Sequence, residues 1–441
     1  MSTIAAHPGI VSDIERSTMR KVNLRLMPFL VLCYIVAFLD RVNVGFAALQ
    51  MNKDLGLTAA LYGLGAGLFY TAYTLCEIPS NLALAKVGAR RWIARIMITW
   101  GLVGGAAAFV VGPYSFYAVR FLLGAAEAGF FPGVLLYLTL WFPKHYRARV
   151  VATFMVGIPI AVFIGSPISG ALLALDGFGG LRGWQWLFIV EAVPAVLLGL
   201  AALVVLTDRP EVARWLAPEE RDWLAGRIKA ENSETKAVGH LTLWQIVTNR
   251  YILILGFIYA GSSAVSNSLS LWQPQILKAF GLTNIETVLL NMIPFGLAAV
   301  FMILWGRRAD KSGEVVWNTI IPLALTALSL LLTNATGSLA ITMVLLSVAL
   351  IANYALKGPY WALAGTWLSA SSAAAGFAAI NTIAHIGTTI ATSMIGAVKD
   401  ATGSFPVALL VLVVMTGLGS LAVYYLAESH KRSLARAVVA A

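Results

Sequence analysis

Apolar residues fill long uninterrupted stretches of this chain, and polar residues are confined to the short segments between them. A helix of about 20 apolar residues is long enough to cross a bilayer. Twelve such stretches are predicted, near residues 24–47, 58–83, 92–111, 114–138, 149–174, 184–206, 251–273, 284–305, 316–333, 339–357, 372–397 and 405–426. The pattern therefore predicts an all-α membrane protein with twelve transmembrane helices.

One long polar segment, residues 207–249, divides these stretches into six and six. A weak internal repeat supports the division, because the basic segments NLALAKVGARR (residues 81–91) and GRRADKSGEVV (residues 306–316) occupy the same place in each half. Duplicated halves place a substrate near the bilayer midplane between them. We expect two pseudo-symmetric six-helix bundles. The predicted domains are an N-terminal cytoplasmic arm (1–23), a first bundle (24–206), a cytoplasmic linker with a surface helix (207–249), a second bundle (250–426) and a cytoplasmic tail (427–441).

The composition agrees with a membrane protein, since 59% of residues are hydrophobic and 12% are charged, against about 25% charged residues in soluble domains. The net charge of +11 follows the topology, not a nucleic-acid surface. Of 31 Lys and Arg residues, four fall on one side of the predicted membrane, three within or at the end of spans, and the rest on the other side. Such an asymmetry predicts that both termini are cytoplasmic.

The sequence contains no pattern typical of a secretory signal or of a metal site. The charged first 25 residues lack the short apolar core of a secretory signal, so we expect a multi-pass protein of the cell (inner) membrane. Cys33 and Cys76 both fall inside predicted spans, and no spacing suggests a metal site. No cofactor and no metal are predicted, and the chain is expected to be a monomer.

Charged residues inside two of the spans are the candidates for function. Asp40 and Arg41 interrupt the first span, and Arg120 and Glu127 lie seven residues apart in the fourth, with Gly124 between them leaving room for another group. Successive residues on a helix project about 100° apart, so Asp40 and Arg41 each need another partner. Buried charges of this kind are either structural salt bridges or proton and substrate sites, and we favour the second interpretation.

Arginine is suited to holding an organic anion, because its planar fork binds a carboxylate through two hydrogen bonds and keeps its charge. Arg41 is the first choice for this role, whereas Arg120 is expected to be tied to Glu127 or Asp40. Dehydration favours the neutral form of a carboxyl group and a nearby guanidinium favours the ionised form. An anion that arrives at an arginine could therefore switch a neighbouring acid between the two forms, as proton symport requires.

Other polar positions are weaker candidates. Tyr73 could hydrogen-bond substrate or be an ordinary buried tyrosine, and Glu77, one turn further on, is assigned to structure. A stripe on span eleven either lines a cavity or joins helices; its members are Asn381, His385, Thr388 and Thr392. His385 could titrate or act only as a hydrogen-bonding group. Lys357, at the end of span ten, could reach the membrane surface or belong to the site.

These residues lie in motifs that, taken together, identify a family. The motifs are FLDRVNVGFA (38–47), CEIPSNL (76–82), RFLLGAAEAGFFPG (120–133), LWFPKHYRAR (140–149), WQPQILK (272–278), YALKGPYWAL (354–363) and INTIAH (380–385). From about Arg20 to Glu428 the chain resembles the anion:cation symporters of the major facilitator superfamily, and in particular the bacterial tartrate, phthalate and hydroxyphenylacetate permeases.

The resemblance implies roles for individual residues. Arg41 would contact the substrate carboxylate, with further contacts from Tyr73 and Asn381. Asp40 and Glu127 would be proton sites, and Arg120 would position or tune Glu127.

At five residues the chain either departs from the family pattern or keeps it. Asn81 and Ala85 stand where the superfamily loop motif has a glycine and an aspartate, so no gate through that carboxylate is expected in the first half. The copy in the second half keeps Gly306 and Asp310, which could lock the inward-closed arrangement. His385 replaces a common asparagine.

Four functions were weighed on these grounds. The first is proton-coupled uptake of a small organic anion, such as a hydroxy-dicarboxylate, a sugar acid or an aromatic carboxylate, by alternating access. The second is a proton-coupled exporter of drugs or metabolites, since a fold does not determine a function, although Arg41 argues against it. A substrate sensor without transport is the third. An intramembrane enzyme is disfavoured because no nucleophile, metal cluster or paired histidine motif is present.

Overall fold

The structure is a computed structural model that describes residues 13–236, 248–367 and 373–440. Within these ranges the regular secondary structure is helical and no strand occurs. The helices are α1 (Asp13–Asp54), α2 (Ala59–Val87), α3 (Ala89–Ala106), α4 (Pro113–Glu127), α5 (Phe130–Trp141), α6 (Lys144–Met155), α7 (Gly157–Leu173), α8 (Gly183–Val205), α9 (Pro218–Lys236), α10 (Arg250–Lys278), α11 (Asn284–Ser312), α12 (Trp317–Leu332), α13 (Leu339–Ala355), α14 (Lys357–Trp367), α15 (Ala373–Thr402) and α16 (Phe405–Ala440).

The predicted spans correspond to these helices, so the prediction of an all-α membrane protein is confirmed. Three spans are each divided into two helices, at Ala128-Gly129, Val156 and Leu356. In the described residues, ten helices or helix pairs are long and apolar enough to cross a membrane. The remaining two spans are α2 and α15, with 29 and 30 residues. They are less apolar than these ten and pack against each other, so the two least apolar spans face protein.

The two ends of the helix bundle differ in how tightly the halves meet. The end of the bundle at which α2 and α11 finish is called the basic end. The opposite end, at which α1 finishes and α2 begins, is called the far end. Toward the far end, three helix pairs join the halves: α1 with α10, α2 with α15, and α7 with α11. Small residues permit this contact, since a Cβ added at Gly45 would lie 2.8 Å from the Ser270 carbonyl oxygen.

Hydrogen bonds between the halves are also concentrated toward the far end. Asn52 Nδ2 donates to Gln275 Oε1 at 3.2 Å. The Asp400 carboxylate accepts from the backbone amides of Ala59 at 3.0 Å and Ala60 at 2.8 Å, and so caps the first turn of α2 from the other half. Among the residues described, Asn381 makes the hydrogen bond between the halves that lies closest to the basic end. The far end is therefore closed in this structure.

The linker helix α9 is docked on the first half. Glu220 accepts hydrogen bonds from Lys21 Nζ at 2.8 Å and Ser17 Oγ at 2.7 Å, both on α1. The surface helix predicted in the linker is thus present. Helix α1 already begins at Asp13 and α16 continues to Ala440, beyond the predicted spans. The boundaries of the predicted domains stay predictions.

Removing the carboxylate of Asp400 should loosen the far end. A helix cap contributes about 0.5–2 kcal/mol, so Asp400→Ala should raise the open fraction of the far end by roughly 2- to 30-fold. The measurement is the labelling rate of Ser270→Cys by a membrane-impermeant maleimide, in a background with Cys33 and Cys76 replaced by serine.

The matched control for this experiment is Asp176→Ala, because Asp176 accepts from the Gly183 amide at 3.0 Å within the first half. That variant should leave the labelling rate unchanged. Equal labelling of Asp400→Ala and the parent protein would show that the cap does not hold the far end closed.

Candidate functional site

The site is organised around an ion pair between α1 and α4. Arg41 Nε donates to Glu127 Oε1 at 2.5 Å. The Glu127 side chain is fully buried, and 11% of the Arg41 side chain is exposed. Helix α4 ends at Glu127, and Gly129 adopts a φ of 87° before α5 begins, so the chain turns immediately after the carboxylate.

The prediction that Arg120 is tied to Glu127 or Asp40 is wrong for this structure. Of the carboxylates described, none lies within 4.0 Å of Arg120. Its guanidinium instead lies over the Phe69 ring, 4.8 Å from the centroid, and its Nε has no hydrogen-bond partner. The room expected beside Gly124 is filled by the Phe69 backbone carbonyl of α2, which a Cβ at Gly124 would overlap. This close approach of α2 to α4 separates Arg120 from Glu127.

Asp40 points away from Arg41, as two successive helical residues must. Its side chain is buried, and its Oδ1 accepts from Asn43 Nδ2 at 3.1 Å while its Oδ2 has no partner. Gly104 on α3 leaves the space for this carboxylate, since a Cβ there would lie 3.1 Å from Oδ1. A cavity of about 10 Å³ is lined by both Asp40 and Arg120, and that volume is enough for about one water molecule.

A chain of contacts leads from Arg41 into the second half. The Arg41 guanidinium lies over the Tyr73 ring, 4.9 Å from its centroid, and Tyr73 contacts the His385 ring with centroids 5.0 Å apart. Asn381 Nδ2 lies 3.3 Å from His385 Nε2 and also donates to Glu77 Oε1 at 3.3 Å. The structure thus brings four predicted substrate residues together and adds Glu77, which had been assigned to structure.

The protonation of His385 follows from these contacts. The Asn381 amide nitrogen can only donate, so His385 Nε2 must accept, and a neutral imidazole then carries its proton on Nδ1. His385 Nδ1 is buried and has no hydrogen-bond partner. It is therefore a donor directed into the contact region between the halves.

The polar stripe of α15 joins helices, one of the two alternatives predicted for it, and that it lines a cavity stays a prediction. Thr388 Oγ1 lies 3.0 Å from Ser263 Oγ, and Thr392 Oγ1 lies 3.0 Å from Ser268 Oγ, so these two threonines join α15 to α10. Asn381 and His385 instead face residues of the first half. The stripe divides into a part that packs helices and a part that faces the site.

Lys357 is a buried cation at the start of α14. It is 6% exposed, so it lies inside the protein and does not extend to the membrane surface. Its Nζ lies over the Tyr354 ring at 4.6 Å from the centroid. Within the described ranges, no carboxylate lies within 4.0 Å of this ammonium. The predicted gating residues Gly306 and Asp310 lie near the end of α11, where Asp310 is exposed, and their role stays a prediction.

Sequence reasoning missed one buried acid, Glu191 on α8. It is 5% exposed, and its Oε1 accepts from Ser169 Oγ at 2.8 Å. The criterion that selected Asp40, an isolated charge in an apolar span, applies equally to Glu191. In the described part of the chain, no group of three metal-ligating side chains is present.

Comparison with known proteins agrees with a membrane transporter. The profile of the Major Facilitator Superfamily matches residues 30–392. The chain is 49% identical to an Agrobacterium vitis protein named "Putative tartrate transporter", over 89% of this chain and 91% of that protein. It is 36% identical to the "Quinolone resistance transporter" of Acinetobacter baumannii, over 97% and 98% of the two chains.

Solved structures share the fold. A bacterial homolog of the human lysosomal transporter Spinster, in an inward-facing and occupied conformation, superposes with a TM-score of 0.72 at 17% identity, over 95% of this chain and 98% of that chain. The family match and the relatives identify a multi-pass membrane transporter, not an enzyme. The chain belongs to the Major Facilitator Superfamily.

Breaking the central ion pair should destabilise the protein more than deleting the whole pair. Glu127→Ala leaves the Arg41 guanidinium buried without its counter-ion, which costs about 3–5 kcal/mol, whereas apolar replacement of both partners is often neutral. We expect the single variant to have a clearly lower melting temperature in detergent, and the double variant Arg41→Met, Glu127→Leu to recover most of the loss.

The control for this experiment is Arg182→Ala, which removes an exposed pair with Asp54. Exposed pairs contribute little, so its melting temperature should stay close to that of the parent. A double variant less stable than Glu127→Ala would show that the two side chains do not act as a mutually compensating pair.

Proposed function

We propose that the protein is a proton-coupled symporter that takes up a small organic anion. The observation that carries the proposal is the position of Arg41, which is paired with Glu127 and also borders the contact between the two halves. A substrate carboxylate that binds Arg41 replaces Glu127 as the counter-ion. Glu127 is fully buried, so once displaced it is stabilised by taking a proton.

The charges in the bundle support the coupling. Within the membrane-embedded part that the structure describes, the buried acids outnumber the cations: they are Asp40, Glu77, Glu127 and Glu191 against Arg41, Arg120 and Lys357. An excess negative charge in a dehydrated interior is unfavourable, so at least one acid must be protonated before any anion binds. Each added carboxylate increases the need for a further proton.

The orientation and the transport cycle follow from the basic end. The excess of Lys and Arg supports a cytoplasmic location for this end and for both termini, and we propose the cell inner membrane as the location. The closed far end is compatible with the inward-facing part of the proposed cycle. Rocking of the halves 24–206 and 250–426 about the site would open the far end, and protonation of Asp40 and Glu127 would favour closure around the anion.

The relative named as a tartrate transporter supports an organic anion as substrate. The relative named for quinolone resistance supports the second candidate, a proton-coupled exporter. The two hypotheses differ in the charge that the site must neutralise. A buried arginine at the contact between the halves favours an anion over a cationic drug.

Uptake by proteoliposomes tests the symport proposal. An inward-directed proton gradient should drive accumulation of at least one labelled carboxylate from a panel of hydroxy-dicarboxylates, sugar acids and aromatic acids. Arg41→Ala should abolish this uptake and Arg41→Lys should reduce it, because lysine cannot form the bidentate contact.

The matched control for the arginine variants is Arg95→Ala, since Arg95 also lies over an aromatic ring, that of Trp92, but far along α3 from the site. It should retain uptake. Accumulation that ignores the gradient, or survives Arg41→Ala, would reject the symport proposal. Gradient-driven efflux of quinolones without carboxylate uptake would favour the exporter.

Lys357 is proposed as a second cation for the anion. Its ammonium is buried over the Tyr354 ring, and no carboxylate of the described residues lies within 4.0 Å, so a second carboxylate of the substrate would neutralise it. Lys357→Met should weaken uptake of dicarboxylates by at least about tenfold, the effect of about 1.4 kcal/mol, and affect monocarboxylates less. Lys399→Met removes a similar cation–π contact at the far end and is the control. An equal loss for both substrate classes would contradict this role.

A further inference from the structure

Glu191 is a buried carboxylate for which the transport mechanism above has no individual role. It lies in the first half of α8 and is 5% exposed. Its Oε1 accepts from Ser169 Oγ at 2.8 Å, and its Oε2 has no hydrogen-bond partner. No basic group lies within 4.0 Å of it among the residues described. A carboxylate in this environment is costly if it is ionised and uncompensated.

Asn43 is a hydrogen-bonding side chain beside Asp40, on the helix that packs against the helix of Glu191. The Asn43 Nδ2 donates to Asp40 Oδ1 at 3.1 Å, and α1 packs against α8, which carries Glu191. An asparagine side chain has both donors and an acceptor. It can therefore donate to an ionised carboxylate on one side and accept from a protonated carboxyl group on the other.

The surroundings of the two acids favour a single shared proton. Asp40 and Phe188 line the same small cavity, and Phe188 lies one helical turn before Glu191 on α8. Two neighbouring carboxylates in a buried site do not both ionise. Helix α3 contributes glycines on this side, Gly104 against Asp40 and Gly105 against Ala192, and α7 contributes Ser169. The charged groups that act on Asp40 are Glu127, Arg120 and Arg41, and Arg120 lines the small cavity together with Asp40.

The three residues are also ordered along the membrane. Counting about 1.5 Å per helical residue from the far end of each helix, Glu191 lies roughly 12 Å inside, Asn43 roughly 16 Å and Asp40 roughly 21 Å. Glu191 is therefore the acid closest to the side from which a symported proton enters. Its oxygen without a partner makes it able to receive that proton.

We propose that Glu191 and Asp40 form a carboxyl pair that holds one proton through Asn43, with Glu191 as the positioning residue that sets how readily Asp40 takes up and releases the coupling proton. The proposal rests on the proposed symport for its functional meaning. The only change is the movement of one proton. It enters the carboxyl pair from the far end and leaves it toward the basic end.

The test is Glu191→Gln, which keeps the shape of the side chain and cannot ionise. Without a neighbouring negative charge, Asp40 should lose its proton at lower pH. The pH at the midpoint of proton-driven uptake should therefore fall by about one unit, because two titrating groups count as coupled when they interact by at least about that much. Substrate counterflow at equal pH on both sides should be retained. An unchanged midpoint together with unchanged accumulation would overturn the proposal.

Two further variants keep the test decisive if Glu191→Gln does not fold. Ser169→Ala removes the donor that stabilises ionised Glu191, so it should shift the midpoint in the same direction by a smaller amount. Ser270→Ala is the control, because this buried hydroxyl bonds only the backbone of its own helix, at Ser266, and should leave the midpoint unchanged. Equal midpoints for Ser169→Ala and Ser270→Ala would count against the pair.

Infrared titration separates this proposal from the symport itself. Purified parent protein should show a protonated carboxyl band that persists well above the ordinary range for carboxylic acids and that Glu191→Gln reduces. The band does not depend on transport. If the parent shows no gradient-driven uptake but the band behaves as expected, the symport fails and the pair stands. If uptake follows the gradient and Glu191→Gln leaves the band intact, the pair fails alone.

Discussion

The structure depends on neutralising charge where there is no water. Arg41 keeps its positive charge at any biological pH, so burying it within a bilayer without a negative partner is costly. Glu127 supplies that partner from α4, and the sharp turn after Glu127 holds its carboxylate against α1. Neither residue can be removed alone without leaving a buried charge, and an external anion can replace Glu127 only if Glu127 is itself neutralised. In the proposed symport, substrate binding and proton binding are thus consequences of one electrostatic requirement.

Close packing of small residues transmits the state of this site to the ends of the molecule. Gly45 on α1 lies four residues beyond Arg41 and meets the backbone of α10 directly. On α2, Tyr73 lies under the Arg41 guanidinium, while Gly63 and Gly67, toward the far end, meet α15. The helices that hold the site are therefore the same helices that close the far end. Glycine has no side chain that could move to keep these contacts. A change in the crossing angle of the helices would therefore separate them along the whole contact.

Hydropathy was sufficient to predict where the helices lie, since a bilayer demands long apolar stretches, and an isolated charge in such a stretch was sufficient to mark Asp40, Arg41, Arg120 and Glu127. The pairing among them was not predictable. Arg120 and Glu127 share a helical face by spacing, yet α4 ends at Glu127 and α2 intervenes through the Phe69 backbone. The environment of Glu191 was equally hidden, because its hydrogen-bond partner Ser169 comes from another span. Contacts within one helix follow from spacing, whereas contacts between helices depend on rotations and approach distances that sequence periodicity does not contain.

The pH dependence of such a transporter must come from the interior and not from the far-end cap. Burial raises the pKa of Asp400, but hydrogen bonds from Thr58 and from the Ala60 and Ala59 amides lower it more, so its pKa lies below the ordinary value of 3.8. A depressed pKa in the folded state means that the cap contributes fully above pH 3.8 and is lost only as the pH falls through the lower value. Across the pH range in which cells transport nutrients, the cap is therefore constant. Among the buried acids that the structure describes, Glu77 bonds directly to the other half, through Asn381. Protonation weakens a carboxylate as an acceptor, so proton uptake by the bundle can loosen this contact near the basic end while the far-end cap is unaffected.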